Sequence, residues 1–177
     1  MRLTVDLLQR AEQRTNCLGE RELVLNGYGI PAIENTAALI SSSSSSSSST
    51  SNGYSGGGGE EFDTLNICNN LLIRLDNFSR WHRLSNLLAS NNRIESIDGN
   101  NFSNNIPNLL SLTLSYNNIS SLSVVQTIGQ SCKLLQFLDL TGNAVTSKYT
   151  FRRRRMKKNR LMDKKKRCFV ISVSIVT

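Results

Sequence analysis

Apolar residues recur along this 177-residue chain at a spacing that fits neither an amphipathic helix nor an alternating strand. In NLLSLTLSYNNIS, residues 108–120, Leu109, Leu112, Leu114 and Ile119, with Leu122 just beyond, stand at offsets 0, 3, 5, 10 and 13, and Asn117 stands at offset 8. Phe62, Leu65, Ile67, Asn70, Leu72 and Leu75 fill the same template, as do Leu84, Leu87, Ala89, Asn92, Ile94 and Ile97. Leu135, Leu138, Leu140, Asn143 and Val145 fill all but its last place. A weaker copy has Leu23, Leu25, Ile30 and Ile33, with Glu20 in the opening place and Tyr28 in the asparagine place. The copies start at 20, 62, 84, 109 and 135, so the steps are 42, 22, 25 and 26. The long first step contains residues 41–59, SSSSSSSSSTSNGYSGGGG, without which it would be 23.

This pattern predicts an α/β fold, a leucine-rich repeat solenoid of about five repeats. In each unit the residues around offsets 2–5 form a short strand of a parallel sheet, and those at offsets 10 and 13 return underneath it to fill the same core. The asparagine bends the chain away from the strand, and its amide can satisfy backbone groups that the bend leaves open. Asn70, Asn92, Asn117 and Asn143 are therefore predicted to stack as a buried ladder, and Asn69, Asn91 and Asn118 to be ordinary loop residues. The Ser/Gly tract has linker composition and is predicted to be a disordered insertion within one loop, which costs the array only slowly growing closure entropy.

A solenoid exposes raw apolar ends unless they are covered. At the amino end, Thr4 is placed to cap a helix whose Leu7, Leu8 and Ala11 form an apolar stripe, with Arg10, Glu12 and Arg14 turned to water. The repeat domain thus runs over 1–149. Beyond it, residues 150–177 read as an atypical basic, disordered tail. Arg152 to Arg167, RRRRMKKNRLMDKKKR, holds 11 of the 21 lysines and arginines and one of the 13 acids, leaving 10 basic against 12 acidic residues elsewhere. All the excess positive charge is therefore in the tail. Arg152, Arg153, Arg154, Arg155, Lys157, Lys158, Lys164, Lys165, Lys166 and Arg167 suit a nuclear-import address or sequence-independent RNA phosphate contact. The closing FVISVSIVT has β-type composition and is an aggregation hazard if exposed.

Remaining chemistry is sparse. Cys17, Cys68, Cys132 and Cys168 are too scattered for paired metal-ligand spacing and read as free thiols of a reducing compartment. No run is long enough to span a membrane, and MRLTVDLLQRAEQRTN carries charges where a secretory segment needs an apolar stretch, which predicts an intracellular protein. His82 is the sole histidine and has no partner constellation, Trp81 reads as packing, and GGGG at 56–59 precedes Glu60 and Glu61 instead of a lysine and a helix. Nothing implies catalysis, a cofactor, a metal, a small-molecule substrate or a membrane.

Function is predicted to lie on the concave sheet. Strand residues alternate, so offsets 2, 4 and 6 face outward there: Glu22, Val24, Asn26; Thr64, Asn66, Cys68; Asn86, Leu88, Ser90; Ser111, Thr113, Ser115; Phe137, Asp139, Thr141. This face is small and polar, with Val24, Leu88 and Phe137 as apolar anchors and Glu22 and Asp139 as its charges. It lacks a basic stripe, so a protein partner is favoured over nucleic acid as its direct ligand. Glu22, Val24, Asn26, Asn66, Leu88, Thr113, Phe137 and Asp139 are the candidate contacts.

The stretches RLTVDLL, RELVLNGYGIPAIEN (21–35), FDTLNICNN (62–70), RLSNLLASNNRI (83–94), IPNLLSLTLSYNNI (106–119) and LDLTGNAVTSKY (138–149) resemble, in order, the spliceosomal U-two small nuclear ribonucleoprotein A-prime family. The resemblance implies a non-catalytic nuclear scaffold whose concave face grips a helix of the RNA-recognition-motif protein B double-prime. Together they would bind a stem-loop of the U-two small nuclear RNA during pre-mRNA splicing. Two departures stand out: Ala144 replaces the family's proline, and TFRRRRMKK follows Tyr149 where relatives continue into an apolar capping segment. Two other readings of the residues remain open. One is a different intracellular leucine-rich adaptor, such as the phosphatase-regulating type; the other is direct RNA binding through the basic tail.

Overall fold

The computed structural model describes residues 2–15, 19–34, 62–148 and 170–172. The Ser/Gly tract and the basic block, on which the predictions of disorder fall, lie outside the described residues. A helix, α1 (Val5–Arg10), opens the chain, and the Thr4 hydroxyl accepts from the Leu7 N–H at 3.2 Å, as its capping role requires. Leu3, Leu7, Leu8 and Ala11 are buried, closing the apolar end of the array.

The helix stops at Arg10, and Glu12 and Arg14 belong instead to a strand, β1 (Glu12–Thr15), antiparallel to β2 (Arg21–Val24). All four β1 residues are exposed, so nothing apolar in EQRT announces a strand. Its pairing follows from β2, whose outer edge otherwise presents unpaired backbone groups.

Beyond β2 the repeat strands follow in parallel: β3 (Thr64–Asn66), β5 (Asn86–Leu88), β7 (Ser111–Thr113) and β8 (Phe137–Asp139). Between β3 and β5 lies the two-residue β4 (Arg74–Leu75), which pairs β6 (Ser96–Ile97) in a small sheet on the opposite side. In the main sheet Leu23, Leu65, Leu87, Leu112 and Leu138 stand in register, all with 2% exposure or less. The step from Leu23 to Leu65 spans the insertion, and the array crosses it without a slip. The return segments carry α2 (Gly99–Asn105), α3 (Leu122–Ser131) and α4 (Ala144–Lys148). Phe102, Val124, Ile128 and Val145 bury themselves beneath the strands. Phe78 meets Phe102 edge-on at 5.4 Å, and Trp81 lies buried beside Phe62, with ring centroids 6.3 Å apart.

The carboxy-terminal end differs from expectation. Val170–Ser172 forms β9, which pairs parallel to β8 with Phe137 beside Val170 and Asp139 beside Ser172. The tail is therefore not wholly irregular, and the last repeat strand is not a bare edge. An unpaired strand is a template for any β-prone segment, and FVIS has that composition. No helix among the described residues is long and apolar enough to cross a membrane.

The asparagine ladder is as the spacing demands. Asn70, Asn92, Asn117 and Asn143 are 3–8% exposed. Each amide oxygen accepts a backbone N–H near offset 10: Asn70 takes Ile30, Asn92 takes Leu72, Asn117 takes Ile94 and Asn143 takes Ile119, at 3.0–3.1 Å. These acceptors all serve the preceding repeat. The amide nitrogens donate both within their own turn and back across it, so that Ile67 O is shared by Asn70 and Asn92, Ala89 O by Asn92 and Asn117, and Leu114 O by Asn117 and Asn143. Tyr28 has no such duty because the first repeat has no predecessor to bond, and it is exposed.

Asp63 rivets the other end of the strands. Its carboxylate accepts from Arg83 Nε at 2.6 Å, Arg83 Nη2 at 3.2 Å and the Arg21 N–H at 2.9 Å, while its carbonyl accepts from the Ser85 and Asn86 N–H groups. Burial pushes this carboxyl up, but the Arg83 guanidinium and the Arg21 N–H outweigh that and hold it below its usual value. A depressed folded-state value means stabilisation that is present above the unfolded value near pH 4 and lost as pH falls through the folded one. Asp63→Ala is expected to cost about 1–2 kcal/mol at pH 7, a figure tempered by the half-exposed Arg83. Urea titrations of both proteins should show that difference shrinking below pH 4; a constant difference would contradict the ion-pair account.

Candidate partner-binding face

Outward residues of the sheet form three rows fixed by strand register. The first is Glu22, Thr64, Asn86, Ser111 and Phe137; the second is Val24, Asn66, Leu88, Thr113 and Asp139. A third, of Asn26, Cys68, Ser90, Ser115 and Thr141, follows where the strands end. The predicted contacts thus share one face, and side chains tie much of it together laterally. Asn66 Nδ2 donates to Glu22 Oε1 at 3.2 Å, Asn86 Nδ2 to Thr64 Oγ1 at 3.2 Å, and Ser90 and Ser115 share a hydroxyl–hydroxyl bond of 2.8 Å. Asp139 accepts from both the N–H and the hydroxyl of Thr141. Such bonds order the polar side chains before any partner arrives, which lowers the entropic cost of docking.

One anchor is corrected. Val24 is only 7% exposed, because β1 places Glu12 beside it on one flank and β3 places Asn66 on the other. Leu88 is half-buried at the middle of the second row, and Phe137 is 38% exposed at the end of the first. Among the described side chains of the repeat strands, these two are the apolar surface the face offers. The carboxylates of the repeat strands, Glu22 and Asp139, lie at opposite ends, and β1 adds the ion-paired Glu12 and Arg14 beside Val24 and Glu22.

A further row was not recognised in the sequence. Offset 7, just past each strand, has positive φ in every repeat: Gly27 at 78°, Asn69 at 56°, Asn91 at 55°, Tyr116 at 55° and Gly142 at 74°. Asn69 and Asn91 are therefore more than ordinary loop residues, since glycine and asparagine tolerate this conformation best. The first four of these turns are each held by a bond to the next repeat, Tyr116 N–H to Thr141 O at 2.7 Å for example. Tyrosine is the exception among the five, at a cost of about 1 kcal/mol or more. The residue types at offset 7 were the available signal.

Among the described residues no three His, Cys, Asp or Glu side chains converge as a metal site. Cys68 and Cys132 are free thiols, and burial pushes Cys132 up to about 12, which keeps it protonated and inert. Cys17, Cys168 and the glycines at 56–59 lie outside the described residues. His82 is exposed in the turn before β5, its carbonyl accepting from Asn108 Nδ2 at 2.7 Å. An open depression on the convex side is lined mainly by neutral polar groups, among them Asn100, Ser103, Thr127 and Gln130.

Known proteins supply the comparison. A leucine-rich repeat family profile matches residues 53–168. The chain is 33% identical over 152 residues to the U2 small nuclear ribonucleoprotein A' of Arabidopsis thaliana, covering 86% of this chain and 53% of that protein. Against the Homo sapiens U2 small nuclear ribonucleoprotein A' the identity is again 33% over 152 residues, covering 86% of this chain and 51% of the relative. The chain spans about half the length of the curated relatives it matches. Among solved structures, a chain of the Drosophila melanogaster SNF/U2A' complex superposes with a TM-score of 0.68 at 33% identity, covering 83% of this chain and 72% of that one.

Proposed function

The chain belongs to the leucine-rich repeat family, within its U2 small nuclear ribonucleoprotein A' group, and from that premise we propose that it is a non-catalytic nuclear scaffold of the spliceosomal U2 particle. Its concave sheet grips an RNA-recognition-motif protein of the B double-prime type, and the pair binds a stem-loop of U2 small nuclear RNA. The observation that carries this reading is the concave face itself. Register brings Leu88 and Phe137 onto a sheet surface many of whose polar side chains are already paired with one another. Interfaces are commonly built in this way, from apolar and aromatic anchors inside a satisfied polar surround. That the matched solved structure is itself a complex, SNF/U2A', supports a protein as the direct ligand.

RNA then enters through the partner. The repeat strands put Glu22 and Asp139 and no lysine or arginine on the face, and Arg14, which β1 sets beside Glu22, is ion-paired to Glu12 at 2.7 Å, so a phosphate backbone gains little from such a surface. The basic residues from Arg152 to Arg167, outside the described residues, add a sequence-independent attraction and a nuclear-import address.

Titration of labelled U2 stem-loop RNA separates these roles. Adding the full chain is expected to tighten RNA binding by the partner at least about tenfold, which is about 1.4 kcal/mol. The chain alone should bind weakly, with an affinity that falls steeply with salt and is lost when the tail's lysines and arginines are changed to glutamine. An RNA affinity of the partner that ignores the chain would reject the scaffold role. Equal binding by the chain alone would favour the tail-mediated RNA reading.

A further inference from the structure

Tyr116 is the residue on the described surface that its surroundings explain least. Its backbone holds the left-handed conformation at φ 55°, which the other four repeats assign to glycine or asparagine. The side chain is 59% exposed, the most open of the large hydrophobic side chains of the described residues, so the core gains little from it. Its ring nevertheless has a fixed seat. A Cβ built on Gly142, the equivalent residue of the next repeat, would stand 2.6 Å from Tyr116 Cδ1 and 2.9 Å from Cε1. The ring therefore lies directly against the Gly142 backbone, in space that only glycine leaves open at that position. Gly142 is doubly required there, since its own φ is 74°.

This seat is continuous with the concave face. Ser115 is the last outward residue of its repeat, and Tyr116 follows it on the rim, bonded through its N–H to Thr141 O. We propose that Tyr116, held against Gly142, is a partner-contacting and specificity-determining residue of this interface, extending it from the sheet onto the rim. The inference rests on the concave-face reading above, and its ligand is the same RNA-recognition-motif protein. A tyrosine pinned in one orientation presents a large apolar ring face and a hydroxyl while losing little side-chain entropy on docking, which is why tyrosine is enriched at binding hot spots. The neighbouring rim positions, Asn69 and Asn91, fit their backbone without an aromatic ring, so the fold itself does not call for one.

The test compares full-length chains carrying Tyr116→Asn, Tyr116→Phe and Gly142→Ala by calorimetric titration with the partner, with thermal unfolding of each alone. Tyr116→Asn suits the backbone at least as well, so its melting temperature should equal or exceed that of the parent while affinity falls about tenfold. Gly142→Ala keeps the tyrosine but displaces its ring, and should weaken binding as well. Tyr116→Phe reports the share of the hydroxyl. If the parent binds and Tyr116→Asn binds equally well, this inference is overturned and the concave-face reading stands. If the parent and a folded Tyr116→Asn variant both fail to bind, the concave-face reading falls and takes this inference with it.

Discussion

Replacing Asn117 by alanine is expected to lower the unfolding free energy by about 3 kcal/mol, a large share of the total stability of a domain this size. The Ile94 N–H would lose its Asn117 Oδ1 acceptor inside the core, and Ala89 O, Leu114 O and Ser115 O would each lose a donor. Ala89 O and Leu114 O keep one donor, from Asn92 and Asn143 respectively, so the N–H is the principal loss. A buried amide without an acceptor costs about 1–3 kcal/mol, and the void left by the missing carboxamide adds to it. Asn117→Asp should be no milder, since a carboxylate would face carbonyl oxygens where an amide donated. The neighbouring, exposed Asn118 is the control, and its alanine variant should stay within about 0.5 kcal/mol. Urea unfolding followed by the fluorescence of Trp81, the only tryptophan and a core residue, reads these differences directly. Equal stability of Asn117→Ala and Asn118→Ala would refute the ladder as a source of stability.

Leu88→Asp is expected to weaken the partner complex at least about a hundredfold, or about 2.7 kcal/mol, with little change in melting temperature. Leu88 occupies the middle of the sheet face, flanked in register by Asn66 and Thr113, and its side chain points away from the core that Leu87 and Ala89 fill. A carboxylate there is harmless in the free protein, where water reaches it, and costly once a docked helix excludes that water. Phe137→Ala removes the other anchor and should cost about tenfold or more. Gln130→Asp on the convex side should leave affinity unchanged. Binding that survives both concave substitutions would move the interface elsewhere on the molecule.

Much of this architecture was legible in the order of residues. The 0, 3, 5, 8, 10, 13 spacing identified the inward leucines, the asparagine ladder and the outward rows, because each repeat repeats the same backbone and so the same demands. Thr4 and the stripe of Leu7, Leu8 and Ala11 likewise announced the amino-terminal cap. What escaped notice depends on neighbours that the spacing does not describe. β1 has no apolar signature and forms because β2 offers an edge, and that pairing is also what buries Val24. Asp63 gathers Arg83 from 20 residues away and the Arg21 N–H from 42, a convergence that appears only once the strands stand side by side. β9 exists through its pairing with β8. The left-handed turns at offset 7 were written in Gly27, Asn69, Asn91 and Gly142, but Tyr116 breaks the series and concealed it. Tyr116 departs from the backbone rule the other four turns obey, and what it presents instead is an exposed ring on the rim of the face.

The central claim is that the concave sheet, and not the basic tail, holds a protein partner. Its most direct test is gel filtration with light scattering of the full chain mixed with the RNA-recognition-motif protein in the absence of RNA. The account predicts a one-to-one complex that persists when the tail's lysines and arginines are replaced by glutamine and is lost with Leu88→Asp. A chain shown to be folded by circular dichroism that still elutes apart from the partner, or a complex abolished by the tail replacements alone, would contradict it.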